Sequence, residues 1–334
     1  YVPLNLMYFH ITILNTMNNY PIATILGGGG FIGRYLVRKM TEKNFQCIIP
    51  TRNAYLKGYL KTQAPPGAIE FIDFNPKDFS KIKEAIKNSD IVINLIGILF
   101  ENRKQKFLNL HSDLPGLIAK FCSESEVKKF IHISAIGANA NSKSIYQQSK
   151  FSGEQKALNN FKNTIIIRPS VVCGVEDNFT NLFAKLSIAP FIPVVKTSYK
   201  FQPILVNDVA EAIVKAIEIK KNEGKIYEIG GPKVISFGDM VKSILNTIDK
   251  KRLVVNLPMP IAKIQATLFS LMSKPLLTKD QCEILNESDN TVSNNHLKIK
   301  DLNIKPEDVE EAMTKWLWRF RDGGEFYKIS QNKL

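Results

Sequence analysis

Tyr146 and Lys150 stand four residues apart in the stretch IYQQSKFSGE. On a helix that spacing puts both side chains on one face. An ammonium beside a phenol lowers the phenol's pKa, so the pair could relay a proton to a carbonyl oxygen. The same lysine could instead hold a ribose. YxxxK pairs are common, and this one gains weight from its place after a predicted strand. A second constellation is GGGGFIGR, in which Gly27, Gly30 and Gly33 form GxxGxxG. The first glycine permits a tight turn, and the second lets the backbone approach a pyrophosphate. The third lets the next helix, opened by Phe31 and Ile32, pack on a sheet with its N-terminus toward the anion. A glycine run alone is weak, but here a strand precedes it and a helix follows, which points to a bound dinucleotide.

The end of the second strand selects the dinucleotide. A carboxylate there would hold the 2′-hydroxyl of NAD, but the residues are Pro50, Thr51, Arg52 and Asn53. Arg52, helped by Arg34, suits a 2′-phosphate, so NADP(H) is expected over NAD(H). The alternative is that Arg52 is a solvated loop charge. Asp73 ends the third strand, where it would meet an adenine amino group or belong with Asp78 to a helix start. Asn94 and Gly97 end the fourth strand beside the nicotinamide half, with Gly97 allowing close approach. Arg168 and Pro169 follow the sixth strand, Arg168 as an anion clamp or a structural ion pair.

These residues need a sheet to position them. Apolar runs at 22–26, 45–50, 68–74, 90–97, 128–137, 163–172 and 224–232 alternate with helical patterns such as 78–89 and 110–126. Strands and helices in that rhythm mean βαβ units and a parallel sheet. The predicted fold is α/β, a Rossmann-type doubly wound parallel sheet with a smaller, mostly helical C-terminal region. Residues 20–232 form the nucleotide-binding domain, with 173–202 contributing to the second region at 233–334. Residues 1–19, which carry no Lys or Arg, are read as an extension outside the fold. Asp208 is read as a helix N-cap.

The chain has 334 residues, 44% hydrophobic and 23% charged, the balance of a globular protein. The 45 Lys and Arg exceed the 31 Asp and Glu, giving +14. That charge is dispersed, and no nucleic-acid-binding motif accompanies it, so nucleic acid is not an expected partner. Cys47, Cys122, Cys173 and Cys282 lie far apart and the four histidines form no ligand pattern, so no metal site is expected. No run reaches the length of a membrane span. Leu257 to Leu277 does repeat apolar residues at three and four, through Ile261, Ile264, Leu268, Leu271 and Met272. The default reading is a helix face packed on the protein's own core. The sharper one is a surface that meets lipid headgroups or another subunit. Trp316, Trp318, Arg319, Phe320 and Arg321 carry the same two readings.

GGGGFIGR, NLIG, HISAIGAN, YQQSKFSGE, IIRPSVVCG and VNDVAEAI occur in the order found in extended and atypical short-chain dehydrogenase/reductases, over about residues 20–232. More narrowly, these segments with RPSVVCGVEDNF and QPILVNDVAEAI resemble the nucleotide-binding accessory subunit family of respiratory complex I and its bacterial relatives. That resemblance implies a structurally held NADPH, no required turnover and a place near the quinone end of the complex. It also implies that Tyr146 and Lys150 hold the nicotinamide ribose. Active extended members carry a Ser or Thr just after the fifth strand. Here Ala135 stands at that place, and Ser134 is one position early, where a strand would reverse the face. If Ser134 reaches the site, a Ser-Tyr-Lys reductase, epimerase or dehydratase acting on a quinone precursor or nucleotide sugar remains open. The implied location is cytoplasmic and peripheral on the inner face of a respiratory membrane in a bacterium, or the mitochondrial matrix in a eukaryote. An anionic membrane surface is a further candidate partner.

Overall fold

The backbone alternates short Val- and Ile-rich strands with helices, and burial on both faces explains why those strands read as continuous apolar runs. The computed structural model describes residues 20–74, 79–270, 272 and 275–324. The extension expected at 1–19, together with Asp78, Leu271 and Lys274, lies outside the described residues. The main sheet contains β1 (Ile22–Leu26), β2 (Gln46–Thr51), β3 (Ile69–Asp73), β4 (Ile91–Asn94), β5 (Lys129–Ile133), β6 (Thr164–Pro169), β7 (Ile226–Ile229) and β8 (Leu297–Lys298). Its order is β8-β7-β6-β5-β4-β1-β2-β3, and every pair is parallel. The order reverses between β1 and β4, which opens a crevice at the carboxyl ends of the strands.

Helices cover both faces. On one, α1 (Phe31–Glu42) lies with α6 (Val206–Glu218), and Leu36, Val37, Met40, Val209 and Ile213 pack on Ile25, Ile93 and Ile131. On the other lie α2 (Phe79–Ile86), α3 (Leu114–Glu124) and α4 (Ile145–Asn160), with Ile82, Leu114, Ile118 and Ala157 against Leu26, Val92 and Phe130. Neighbouring strand residues such as Ile25 and Leu26 therefore serve opposite layers, as a pleat requires.

The remaining helices are α5 (Phe179–Leu186), α7 (Phe237–Thr247), α8 (Met259–Phe269), α9 (Lys279–Asn286), α10 (Val309–Ala312) and α11 (Thr314–Leu317). A second core joins Phe183, Ile192, Val194, Met240, Ile244, Met313 and Trp316. Trp316 is buried there, and its indole N–H donates to Thr180 Oγ1 at 3.2 Å. Arg319 donates to Val175 O and Asn181 Oδ1. Of the aromatic-basic cluster Trp316 is thus internal scaffold, Phe320 and Arg321 are half-buried, and Trp318 and Arg319 stay exposed.

Leu253–Leu257 pairs in parallel with Phe191–Val195, within the 173–202 stretch expected to contribute to the second region, and β8 returns from beyond 232 to the main sheet. Several expectations are corrected. Asp208 is not an N-cap. Leu205 holds that position, and the Asp208 carboxylate accepts from Glu307 N at 3.0 Å within the first turn. The amphipathic segment 257–277 is not one helix, because α8 ends at Phe269. Its apolar stripe is also not core. Ala262 and Ala266 are the buried positions, while Ile261, Ile264 and Leu268 are 53%, 65% and 64% exposed. Alanine lets α8 lie close to its neighbours and turns the larger residues outward. No described helix is long and apolar enough to cross a membrane.

Candidate functional site

The glycine turn joins β1 to α1 at the sheet's crevice. Gly27 has φ +83°, and a Cβ there would meet Leu95 at 3.2 Å. A Cβ on Gly33 would lie 2.4 Å from the carbonyl oxygens of Gly27 and Gly28, so only glycine lets α1 seat on the turn. Gly30 is the N-cap residue of α1, with no side chain over the helix end. That leaves backbone N–H groups presented to an anion. Ile32 packs into the core, and Phe31 lies against Gly174 and edge-on to Tyr35.

The cations near this turn divide. Arg34 is paired with Glu176 at 2.9 Å and lies 5.5 Å over the Tyr59 ring. Arg52 is exposed just past β2, beside Asp73, which is exposed at the end of the adjoining strand. Lys57 was not singled out in the sequence. It sits on a 3-10 segment, Tyr55–Gln63, and its stem crosses the turn so closely that a Cβ on Gly29 would meet it at 2.8 Å. Among the described residues neither Arg52 nor Lys57 is paired with a carboxylate.

At the other end of the crevice α4 carries Tyr146 and Lys150. Ser144 caps the helix by accepting from Gln147 N. Lys150 is 4% exposed, and its ammonium donates to Ile133 O at 3.2 Å and lies 5.9 Å from the centre of the Tyr146 ring. Burial pulls its pKa down to about 8, against the opposing field of Glu154. The Tyr146 phenol is pushed up to about 12, first by burial and then by Asp280. A Cβ on Gly97 would come within 3.4 Å of the ammonium, so glycine there keeps Lys150 open toward the crevice.

Four buried polar residues back this pair: His111, Asn94, His132 and Ser134. His111 lies in a π-helical turn, Leu108–Asp113, whose carbonyl presses on Gly153 of α4. Its Nε2 accepts from Ile98 N at 3.0 Å, so Nδ1 carries the hydrogen and faces Ser149 Oγ at 3.2 Å. Burial, then Lys150, drives its pKa down to about 2, and the ring stays neutral. Asn94 is corrected from a cofactor contact to a turn former. It is fully buried, its Oδ1 accepts from Ile96 N, and its amide donates to His132 Nδ1 at 3.2 Å. His132 Nε2 and Ser134 Oγ are buried with no hydrogen-bond partner among the described residues. Phe130 belongs to the layer that α4 covers, and its ring stacks on His132. Alternation from these residues puts Ser134 on the side of Tyr146 and Lys150. An unpartnered hydroxyl there is what an absent ligand or water would satisfy.

Arg168 is corrected too. Its guanidinium forms two bonds to Glu154, at 2.8 and 2.6 Å, and a third to Glu228 at 3.2 Å, all buried. It is the structural ion pair, not the anion clamp. Pro169 is buried at the end of β6, and its carbonyl accepts from Ile136 N. The EDNF signature is a capping device: Asp177 accepts from Gly174 N and Thr180 N at the start of α5.

The glycine turn, the buried lysine with no ion-pair carboxylate among the described residues and the unpartnered hydroxyl fit a nicotinamide dinucleotide laid across the switch point. The profile of the NAD dependent epimerase/dehydratase family matches residues 23–230. The chain is 32% identical over 319 residues to NADH dehydrogenase [ubiquinone] 1 alpha subcomplex subunit 9, mitochondrial, of Arabidopsis thaliana, covering 91% of this chain and 79% of that protein. It is also 32% identical over 304 residues to the protein of the same name in Mus musculus, covering 90% and 80%. It is 28% identical over 300 residues to the NADH-ubiquinone oxidoreductase 40 kDa subunit, mitochondrial, of Neurospora crassa, covering 90% and 79%. Among solved structures, the UDP-glucose 4-epimerase of Thermus thermophilus in complex with NAD shares the fold with a TM-score of 0.66 at 15% identity, covering 90% and 98%. The matched segment holds the glycine turn, Tyr146 and Lys150 together, and this chain belongs to the NAD dependent epimerase/dehydratase family, alongside relatives named as respiratory NADH dehydrogenase subunits.

Proposed function

We propose that this protein is an accessory subunit of a respiratory NADH dehydrogenase that holds NADP(H) as a structural ligand. Gly27, Gly30 and Gly33 present backbone N–H groups to the pyrophosphate, and Arg52 and Lys57 hold the 2′-phosphate. Arg34, already paired with Glu176, adds to the positive field there. Lys150 and Tyr146 hold the nicotinamide ribose, beneath Gly97. When bound, the dinucleotide would supply hydride chemistry. Burial and Asp280 push Tyr146 up to about 12, so it stays protonated and serves as a hydrogen-bond donor.

The observation that carries the assembly role is the outward face of α8, where Ile261, Ile264 and Leu268 are exposed while the small alanines face inward. A contiguous apolar helix face with Lys263 at its edge suits burial against another subunit. The mitochondrial names of the relatives support a place in a mitochondrial respiratory NADH dehydrogenase. An active reductase, epimerase or dehydratase is the second reading, favoured by Ser134 lying on the Tyr146 side with a free hydroxyl.

Native electrophoresis of gently solubilised membranes, followed by mass spectrometry, tests the assembly role. The account expects the chain to migrate with the large respiratory complex, and to do so still as the Tyr146→Phe variant. Recovery only as a small species would overturn it and favour the enzyme. Flotation on anionic vesicles without any complex would mean that α8 meets lipid instead.

A further inference from the structure

The helix that carries Tyr146 and Lys150 is capped by its own Ser144, and its start is also held from outside. Five donors between residues 142 and 146 are bound by carboxylates from α9, more than 130 residues later in the chain. Asp280, near the beginning of α9, accepts from Ser144 Oγ at 2.8 Å, Ile145 N at 2.6 Å and Tyr146 N at 3.3 Å. Glu287, just past its end, accepts from Ser142 Oγ at 2.7 Å and from Lys143 N. Negative charge at a helix N-terminus is favourable, and here it comes from another element. The rest of α9 is tied to α8. Cys282 and Leu285 share a core with Ala262 and Ala266, and Lys263 pairs with Glu283 at 2.7 Å. The α9 start is itself fixed by a reciprocal Thr278–Gln281 capping box.

We infer that α9 couples the dinucleotide site to the outward face of α8, with Asp280 as the positioning residue that sets Tyr146. This rests on the reading that Tyr146 and Lys150 hold a dinucleotide. A ligand that fixes the start of α4 fixes Asp280 and Glu287 with it, and through them the seat of α8. Linkage makes the effect reciprocal: a partner docked on α8 tightens the dinucleotide by the factor that the dinucleotide tightens the partner. Loss of the nucleotide would then loosen the docking face as well as the pocket.

Hydrogen–deuterium exchange of the full chain, with and without NADPH, combined with NADPH titration by nucleotide fluorescence, tests this. In the wild type NADPH should slow exchange in α4, α9 and α8. In Asp280→Ala the dissociation constant should rise by at least about fivefold, the low end of site-to-site coupling. Protection should then stop at α4, leaving α8 and α9 insensitive to nucleotide. If Asp280→Ala fails to fold, Asp280→Asn and Glu287→Gln give the same readout, with a thermal melt to establish folding. Affinity within twofold of wild type, or unchanged NADPH protection of α8 and α9 in folded variants, overturns the coupling. Failure of the wild type to bind NADPH or NADH removes the dinucleotide reading and the coupling together. Faster exchange at residues 145–147 in the ligand-free Asp280→Asn protein would then mark the clamp as purely structural.

Discussion

Two cations lie buried near the carboxyl ends of adjoining strands, and their surroundings are opposite. Arg168, at the end of β6, is enclosed by Glu154 and Glu228, with His296 Nε2 at 3.2 Å from its guanidinium. Lys150, one turn before Glu154 on α4, has the carbonyl of Ile133 and the Tyr146 ring but no ion-pair carboxylate among the described residues. The carboxylate that could have neutralised it faces Arg168 instead. A buried cation with partners on every side is scaffold, because removing it exposes charges it was holding. A buried cation without a counter-ion lowers stability and implies a ligand that compensates. The sequence offered both as functional candidates, and only their partners separate them.

The largest effect is expected on the scaffold side. Arg168→Met leaves Glu154 and Glu228 buried without a counter-charge, and such broken pairs cost about 3–5 kcal/mol. Denaturant unfolding should show a loss of that size, and a loss below about 1 kcal/mol would erase the distinction. Lys150→Met should act in the reverse sense. Dinucleotide affinity should fall by about tenfold or more, the cost of a charge-assisted hydrogen bond, while the melting temperature at pH 7 holds or rises. A large loss of stability in that variant would make Lys150 scaffold too.

The pH dependence sharpens the contrast. The folded-state pKa of Lys150 is depressed to about 8, below the ordinary lysine range. Between those values the unfolded chain binds more protons, so stability rises with pH there. Dinucleotide binding to the ammonium should run the other way, weakening by up to about tenfold per pH unit above about 8. Denaturant unfolding and isothermal titration over pH 7 to about 9.5 read the two signs, and affinity independent of pH would mean that Lys150 does not contact the ligand. The smallest effect belongs to Ser134→Ala. Its hydroxyl has no partner in the chain, so stability should change by no more than about 0.5 kcal/mol, while loss of dinucleotide affinity would mark the hydroxyl as a ligand contact.

Much of the fold was legible because buried parallel strands announce themselves as Ile and Val runs, and β1 to β6 fall within or beside the predicted ones. The turn from Gly27 to Gly33 was legible because only glycine fits where a Cβ would touch Gly27 O. Residues whose meaning depends on distant partners were not. Arg168 needed Glu228, and Asn94 needed His132. Lys57 crosses the glycine turn from a 3-10 segment with no motif, and Asp280 reaches α4 from α9. The amphipathic period of α8 was real, but periodicity gives a face without saying which way it points. The alanines at 262 and 266 held that information, since small residues allow close approach and larger ones then line the outside.

The central claim is a nicotinamide dinucleotide held as a resident ligand. Its most direct test is to purify the intact chain without added nucleotide, denature it, and quantify the released nucleotides by liquid chromatography and mass spectrometry. The account predicts NADP(H) at close to one per chain, and its absence from Lys150→Met. Protein that is folded, carries no dinucleotide and binds none on titration would contradict it.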